Sequence, residues 1–558
     1  MARAISPNRS AERFGVWVAA SLIGSSMLAT ASDVARATTS VAARGYLDGL
    51  AVVETERGPR QRPGALLDTQ VDVVARSWLR GHADWRARIG GPFEGGHQGI
   101  YNFVHAFQNR SPSLELSEMF ADIRSRDADF RIGIQKFDWG KLDGVPPTDV
   151  LNPRDYHDPF VAALEEAKIG VPAVEVTYYL PEAPSLALTQ PRATLVYVPI
   201  AVPSRLPLLE ERWFPSTALP GSRLTLSRDR VDQALTSTTR KLCREKGTPC
   251  DMIEAGFSGT GDLVVPLAVR TLNHRAPLRL DAGGIAGRVA GTWRAVDWAI
   301  YHYTGPETAP DADVRAQVRG SVCLLVGGKR ICGRQLLDFD PRVIKGFTSL
   351  VFDLSLHSTA ALRQAHDTIH MTGCDAAAVI GGATVRTEAA FLQDRPYLRL
   401  ARDLVSPSAL RGLPLSTIGL NLLKHGRAAV PVGELFPTVD AVEWGIGVDY
   451  LIRGFLPLLQ VNQTVLLGAA PRLVINDPET RLTASVSRRF IQERLEVEVR
   501  GVYALERQAW FVFPRASYML RDNLRLRVGY LALGGPLASI IGQFRRNDEC
   551  VLDVRYSF

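Results

Sequence analysis

From about residue 70 onward the chain is a succession of short segments in which apolar and polar residues take turns. Val174, Val176, Tyr178 and Leu180 alternate with Glu175, Thr177 and Tyr179. Leu495, Val497 and Val499 alternate with Glu496, Glu498 and Arg500, and Leu524, Leu526, Val528 and Tyr530 with Arg525, Arg527 and Gly529. The closing stretch sets Cys550, Leu552, Val554, Tyr556 and Phe558 against Glu549, Val551, Asp553, Arg555 and Ser557. A period of two puts successive side chains on opposite faces of a strand. The second face is charged or polar in nearly every segment, with Gly as the neutral filler. A small soluble barrel or sandwich fills its inside with aliphatic side chains, so here the aliphatic face is the outside. The pattern predicts an all-β fold: a transmembrane, outer-membrane antiparallel β-barrel with long extracellular loops. Trp139, Trp298, Trp444, Trp510, Tyr518 and Tyr556 fall near segment ends, where interfacial girdles belong. Spanning strands of about 9–11 residues divide roughly 500 residues into about 14–18 strands. The competing reading is a soluble sandwich with solvated faces.

The alternation breaks over 204–260 and 305–380, which read as long insertions. Inside the first, Val231, Leu235 and Leu242 sit at helical spacing and predict a short helix over Asp229–Lys246. The start of the chain carries Arg3, Arg9 and Arg13, an apolar and small-residue stretch from Phe14 to Leu28, and a small-residue Ala29-Thr30-Ala31 site. That is the layout of a cleaved signal peptide over 1–31. Residues 32–68 read as a periplasmic lead-in and 69–558 as the barrel.

Composition narrows the picture. The chain of 558 residues is 46% hydrophobic and its mean hydropathy is near zero. After residue 31 no run approaches the roughly 18 apolar residues of a membrane helix. A barrel hides its membrane signal in alternate residues, so neutral hydropathy fits it. The net charge of +7 comes from scattered basic residues; no patch points to nucleic acid.

An exported chain meets an oxidising compartment, which directs the reading of six cysteines. Around a Gly327-Gly328 turn, Val326 pairs with Lys329, Leu325 with Arg330, Leu324 with Ile331 and Cys323 with Cys332. That register places the last pair at non-hydrogen-bonded positions about 4.5 Å apart at Cα, within bridging range. Cys323 and Cys332 are therefore predicted to staple a hairpin. Cys243 and Cys250 lie in another long loop as a second candidate pair. Cys550 falls on the lipid face and Cys374 has no evident partner. His366, His370 and Cys374 are spaced i, i+4 and i+8, which on a helix would share a face. They lack a fourth ligand in register, and Cys374 precedes a strand-like stretch, so no metal site and no cofactor is predicted. The inward-facing set Arg131, Arg386, Glu388, Glu496, Glu498, Arg500, Arg525, Arg527, Asp553 and Arg555 lines a lumen of mixed sign. Glu388, Glu496 and Glu498 are the carboxylates that could serve as catalytic acids, but Arg386 and Arg500 lie close in sequence, and ion-paired lining is the plainer reading.

One stretch is more specific. Gly133, Gln135, Trp139 and Gly140 are followed by Asp143, Asp149, Asn152, Pro153 and Asp155. The run resembles the G-x-Q-x-x-x-W-G and D-x-x-N-P-x-D signature of a large family of Gram-negative outer-membrane proteins, catalogued as a domain of unknown function. The resemblance covers roughly residues 100–558 and departs in the cysteine-bearing insertions. It implies a porin-like channel or transporter for small solutes, hydrophobic ones included. The tract after Trp139-Gly140 has two readings: an inward loop that narrows the lumen, or an ordinary external loop. The ending Tyr556-Ser557-Phe558 resembles the signal read by the barrel assembly machinery, and with outer-membrane lipid that machinery is the expected partner. The solute is not specified. The chain is read as a non-enzyme. The alternatives are a surface barrel enzyme acting on lipid or peptide, and an adhesive or structural barrel binding a partner through its disulfide-bonded loops.

Overall fold

The computed structural model describes residues 39–558 apart from 56–60, 91–112, 145, 157–158, 161–166, 206, 208–210, 219–222, 248–250, 273–282, 310, 327, 339–348, 405–413, 431–433 and 469–471. The expected signal peptide at 1–31 lies outside the described residues, as does Cys250.

Strands are numbered in chain order. The first seven are β1 (Ser40–Glu54), β2 (Gln61–Arg76), β3 (Leu79–Gly90), β4 (Ser113–Arg124), β5 (Ala128–Gln135), β6 (Val171–Tyr179) and β7 (Leu188–Val198). An excursion then holds β8 (Arg223–Leu226), helix α1 (Arg228–Glu245), β9 (Glu254–Phe257) and β10 (Leu263–Leu272). β11 (Gly284–Trp293) and β12 (Val296–Pro306) precede a second excursion of β13 (Asp311–Val326), β14 (Lys329–Cys332) and β15 (Ser349–Ala365). β16 (Thr368–Ile380) and β17 (Ala383–Pro396) precede a third, with helix α2 (Leu415–His425) and β18 (Arg427–Val430). The chain ends on β19 (Thr438–Tyr450), β20 (Phe455–Leu467), β21 (Glu479–Phe490), β22 (Leu495–Ala504), β23 (Ala509–Arg521), β24 (Leu524–Gly534) and β25 (Glu549–Ser557).

Eighteen of these form one sheet in which each strand pairs antiparallel with the next along the chain, the three excursions being skipped. β25 pairs back onto β1, from Tyr46–Ser557 to Glu54–Glu549, and closes the barrel. Gly45 and Phe558 exchange both backbone hydrogen bonds at 2.9 Å. Closure leaves no unpaired sheet edge, which is what a spanning sheet requires in lipid.

The alternation divides as expected. Ile132, Leu195, Ile300, Leu459, Val528 and Leu552 point outward and are exposed. Tyr178, Trp293, Tyr450 and Tyr556 ring the outer face near one end, and Tyr197, Tyr503, Trp510 and Tyr530 near the other. An exposed apolar belt between two aromatic girdles is the outer surface of an outer-membrane barrel. Short turns occupy the end that holds Phe558, and the three excursions leave from the opposite end, the extracellular side by this architecture.

Two boundaries differ from the sequence reading. Among the described residues the barrel begins at Ser40, so the division at residue 69 falls inside β2, and residues 40–54 and 61–68 are wall and not lead-in. The alternation is blurred there because Leu50 and Val52 share the inward face with Asp48 and Glu54. The stretch 368–380, read as part of an insertion, is β16, so His370 and Cys374 lie on a strand and share no helical face with His366.

The three excursions build one seven-stranded sheet. Its order is β14-β13-β15-β10-β8, with β18 on β13 and β9 on β15. β13 and β15 extend the β12–β16 hairpin: Pro306 faces Thr368 in the barrel and Asp311 faces Ala365 just beyond. Helices α1 and α2 pack on the sheet over a core that includes Val231, Leu235, Val322, Phe352, Ile418 and Leu422. The predicted hairpin register is present from Val326–Lys329 to Cys323–Cys332, and Cys323 and Cys332 form a disulfide with Cα atoms 4.1 Å apart. Cys243 is disulfide-bonded, while Cys374 and Cys550 are free.

Candidate functional site

The inner wall is not uniform. From β6 to β17 it carries an apolar cluster that includes Ala173, Val196, Ala286, Ala299, Met371 and Ala390, beside the acidic Asp375 and Glu388. From β21 through β25 and round to β5 charged residues are frequent, with an apolar patch at Phe513, Leu531 and Leu533. A water-filled lumen favours the second kind of lining; the first needs a cover.

The cover is the described part of the segment 136–170 between β5 and β6, which folds inward. Phe137, Trp139, Val150, Leu151 and Ile169 pack on the apolar wall. The signature residues shape the loop. Asn152 accepts from the Phe137 amide at 2.6 Å and donates to the carbonyls of Gln135 (3.1 Å) and Ile169 (2.9 Å). The Ile169 amide donates to the Pro153 carbonyl at 2.8 Å. Gln135 donates its side-chain amide to Ala173 O at 2.9 Å. Asp149 pairs with Arg154 at 2.8 Å and Lys168 at 3.1 Å, and Lys168 also reaches Asp138 at 2.6 Å. Asn152 and Gln135 thus pin the two stems of the loop together, each satisfying buried backbone groups that would otherwise lack partners.

The far end of the loop docks on Glu388 of β17. One carboxylate oxygen accepts from the amides of Lys141 (2.9 Å) and Leu142 (3.3 Å); the other accepts from the amide and hydroxyl of Thr148, both at 2.7 Å. Glu388 is 1% exposed. Gly140 enters this turn at φ +87°, a conformation L side chains rarely adopt. Trp139 lies on Tyr301, ring centroids 5.1 Å apart. Beyond Glu388 the loop reaches β20, where Asp143 and Gln460 exchange hydrogen bonds at 3.0 and 2.8 Å. Leu142 fits against Gly445, where a Cβ would stand 2.7 Å from its methyl. The segment is the inward loop of the two readings, and Trp139 belongs to the lumen, not to an outer girdle.

A second strap was not anticipated. The segment after β7, inside the stretch read as an external insertion, crosses the lumen to β22–β25 before reaching the extracellular sheet. Arg205 pairs with Glu115 and, at 3.3 Å, with Asp155. Arg212 pairs with Glu54 at 2.9 Å and Glu549 at 3.4 Å. Trp213 packs on the inward faces of Phe513, Leu531 and Leu533. Phe160 of the first loop packs against Trp213 with ring centroids 5.1 Å apart, tying the two straps together. Nothing in the alternation marks this segment; a lone Arg-Trp pair in a Pro-rich stretch is its only signal.

Every predicted lumen residue sits on the inward face, but the pairings differ from those inferred by proximity in sequence. Arg386 pairs with Asp449 at 2.6 Å and Asp143 at 3.2 Å, leaving Glu388 to the loop. Glu498 pairs with Arg515, and Glu496 lies 4.0 Å from Arg489. Arg500 donates to the Phe160 carbonyl at 3.5 Å. Arg131 pairs with Asp122 at 2.6 Å, apart from the others. Arg525, Arg527, Asp553 and Arg555 cluster with Asp48: Arg527 pairs with Asp553 at 3.1 Å and Arg555 donates to Asp48 at 2.9 Å. Asp138 and Asp143 put exposed carboxylates on the loop. The uncovered wall therefore carries arginines largely paired with wall carboxylates, and the loop carries Asp138 and Asp143.

No protein-family model and no curated protein matches the chain. Among solved structures, the chain is similar to OccK8 (OprE) of Pseudomonas aeruginosa at 8% identity, covering 93% of this chain and 98% of that one, with a TM-score of 0.43. It is similar to OpdK of the same organism at 8% identity, covering 93% and 98%, TM-score 0.42. Salmonella typhi OmpF in complex with daunomycin matches at 9% identity, covering 93% and 97%, TM-score 0.36. At these scores the likeness adds nothing to the barrel that the strand ladders define.

Proposed function

We propose that the protein is a porin-like channel that passes small polar solutes across the Gram-negative outer membrane through a narrowed lumen. The observation that carries this reading is the 136–170 loop clamped by Glu388 inside the barrel, with carboxylates on its free side and an arginine-bearing wall left uncovered. Fixed charges at a constriction select permeating ions and solutes. An uncovered wall this charged suits polar solutes better than hydrophobic ones. Both oxygens of Glu388 are engaged by loop donors, and Glu498 is ion-paired, which supports a non-enzymatic role. The signature from Gln135 to Pro153 is the skeleton of the inward loop, which supports the proposed kinship with the porin-like family it resembles. Tyr556 and Phe558 lie exposed on the outer face, where the assembly machinery would read them.

The test is single-channel recording of refolded protein in a planar bilayer. Discrete, ion-selective steps are expected, with larger steps when Glu388 is replaced by Ala. A silent bilayer for both proteins, with folding verified by circular dichroism, would overturn the channel reading.

A further inference from the structure

The helices cover one face of the extracellular sheet. Along β15, Leu350, Phe352 and Ala360 turn into that core, while Val351, Ser355 and His357 turn the other way and are exposed. β10 repeats the division, with Leu263, Val265 and Leu267 in the core and Val264, Pro266 and Ala268 exposed.

One rank across the open face is basic. Arg427 of β18 pairs in register with Arg319 of β13, and Arg319 with His357 of β15. On the other side of β15, Leu267 pairs with Ser358, which sets Pro266 beside His357, and Pro266 pairs with Arg223 of β8. Arg427, Arg319, His357 and Arg223 are all exposed. Five strands about 4.8 Å apart make the row about 19 Å long. The rank on one side of it holds Ser321, Ser355 and Thr225, and the rank on the other holds Gln317 and Thr359.

Arg223, Arg319 and Arg427 make no ion pair among the described residues. Arg319 donates from Nε to Gln317 at 3.0 Å, and its two terminal nitrogens remain for a ligand. Asp353, a carboxylate on the same face of β15, is taken by Arg330. Like charges directly opposite on neighbouring strands repel. The Arg427–Arg319 pair is therefore a cost that an anion lying between the two removes. A guanidinium presents a planar fork that holds a carboxylate through two hydrogen bonds.

The surroundings say which anion. His357 lies eleven residues before Thr368, the first residue of barrel strand β16. That is about 36 Å of extended strand at about 3.3 Å per residue, whereas the charge of lipid headgroups is screened within about 8 Å at physiological salt. Single-stranded nucleic acid is held by stacking its bases on aromatic side chains, and the open face carries no Phe, Tyr or Trp among the described residues. A linear acidic polysaccharide fits both parts of the face: carboxylates to the arginines, hydroxyls to the flanking Ser, Thr and Gln. Neighbouring strands set the cations one strand spacing apart, close to the length of one sugar, which suits a chain with a carboxylate on every residue.

We infer that the open face of the extracellular sheet is a docking surface for a linear polyuronate, held by Arg427, Arg319 and Arg223 with His357 between them. The surface is separate from the channel and does not depend on it.

The experiment uses the full chain in lipid nanodiscs, with fluorescently labelled oligogalacturonate as the probe and anisotropy as the readout. Saturable binding that weakens with added salt is expected, and the methyl-esterified oligomer should not bind. Arg319→Ser/Arg427→Ser should weaken binding at least tenfold, and Arg319→Lys should lie between that variant and wild type. Arg244→Ser removes the same charge from α1, away from the face, and should bind as wild type does. Conductance of the double variant in plain salt should match wild type, which separates loss of docking from loss of the channel. The inference is overturned if wild type binds no more than empty nanodiscs, if the double variant binds like wild type, or if Arg244→Ser weakens binding as much. Tighter binding of a single-stranded oligodeoxynucleotide of equal charge would overturn it too, as would binding seen only in nanodiscs that contain lipopolysaccharide.

Discussion

A Cβ on Gly140 would stand 2.7 Å from both carboxylate oxygens of Glu388, a residue almost 250 positions later in the chain. The two residues fit because one has no side chain and the other has a carboxylate whose two oxygens take four donors. This contact sets how far the inward loop leans into the lumen.

Gly140→Ala should therefore lift the loop from its seat. The left-handed backbone alone costs about 1–2 kcal/mol for an L residue, and the clash with Glu388 adds to it. Expected outcomes are larger and noisier conductance steps and faster protease cleavage within 136–170, with the barrel still intact on heating. Unchanged conductance would show that the loop does not set the constriction.

Replacing Glu388 by Ala leaves three backbone amides and the Thr148 hydroxyl without their acceptor. A buried unsatisfied donor costs about 1–3 kcal/mol. Urea unfolding should show a clear loss of stability, and Glu388→Gln, which keeps one carbonyl oxygen, should fall between Ala and wild type.

Arg525 makes no ion pair among the described residues, whereas Arg527 is paired with Asp553 at 3.1 Å. Reversal potentials in a salt gradient should therefore move toward cation selectivity more for Arg525→Ala than for Arg527→Ala. Equal shifts would mean that the paired guanidinium acts on permeating ions as strongly as the unpaired one.

Arg212→Ala would remove one ion-pair partner from each of Glu54 and Glu549, whose side chains are 4% and 2% exposed, and leave Glu54 with Arg62 alone, at 2.6 Å, among the described residues. Breaking one side of a buried ion pair costs about 3–5 kcal/mol. The second strap should detach, the midpoint of thermal unfolding should fall, and conductance should rise. A rise in conductance on Trp213→Ala without the stability loss would separate the pore-narrowing role of the strap from its contribution to the barrel seam.

Reducing the Cys323–Cys332 bridge should loosen the extracellular sheet and spare the barrel. A short disulfide loop contributes about 2–3 kcal/mol. Cys323→Ser/Cys332→Ser should lower the melting temperature of the extracellular domain, followed by exchange in β13 and β14, with conductance unchanged.

What could be read along the chain was local. Period-2 alternation marks Leu524–Tyr530 and Cys550–Phe558 as lipid-facing strands because each face repeats within a few residues. The Cys323–Cys332 hairpin was legible for the same reason: its register follows from one Gly-Gly turn. Asn152 and Gln135 could be singled out as a set, but the anchor at the far end of their loop could not, since Glu388, which accepts from Lys141, Leu142 and Thr148, lies in an ordinary alternating strand that looks like any other piece of charged lining. β1 escaped because Leu50 and Val52 face inward and spoil the pattern. The strap around Trp213 escaped because it has no periodicity; its place comes from Glu54, Glu549 and Phe513, brought together by closure of the barrel.

The extracellular sheet takes β8, β9 and β10 from one excursion, β13, β14 and β15 from a second, and β18 from a third. None of the three carries a complete fold. Each must be threaded across the membrane separately and wait for the others, and they meet once the strands from β7 to β19 stand side by side. The ectodomain is thus a late product of biogenesis: its appearance on the cell surface reports that this third of the wall has been laid in register, and a fault in any one excursion would leave the other two exported but unfolded.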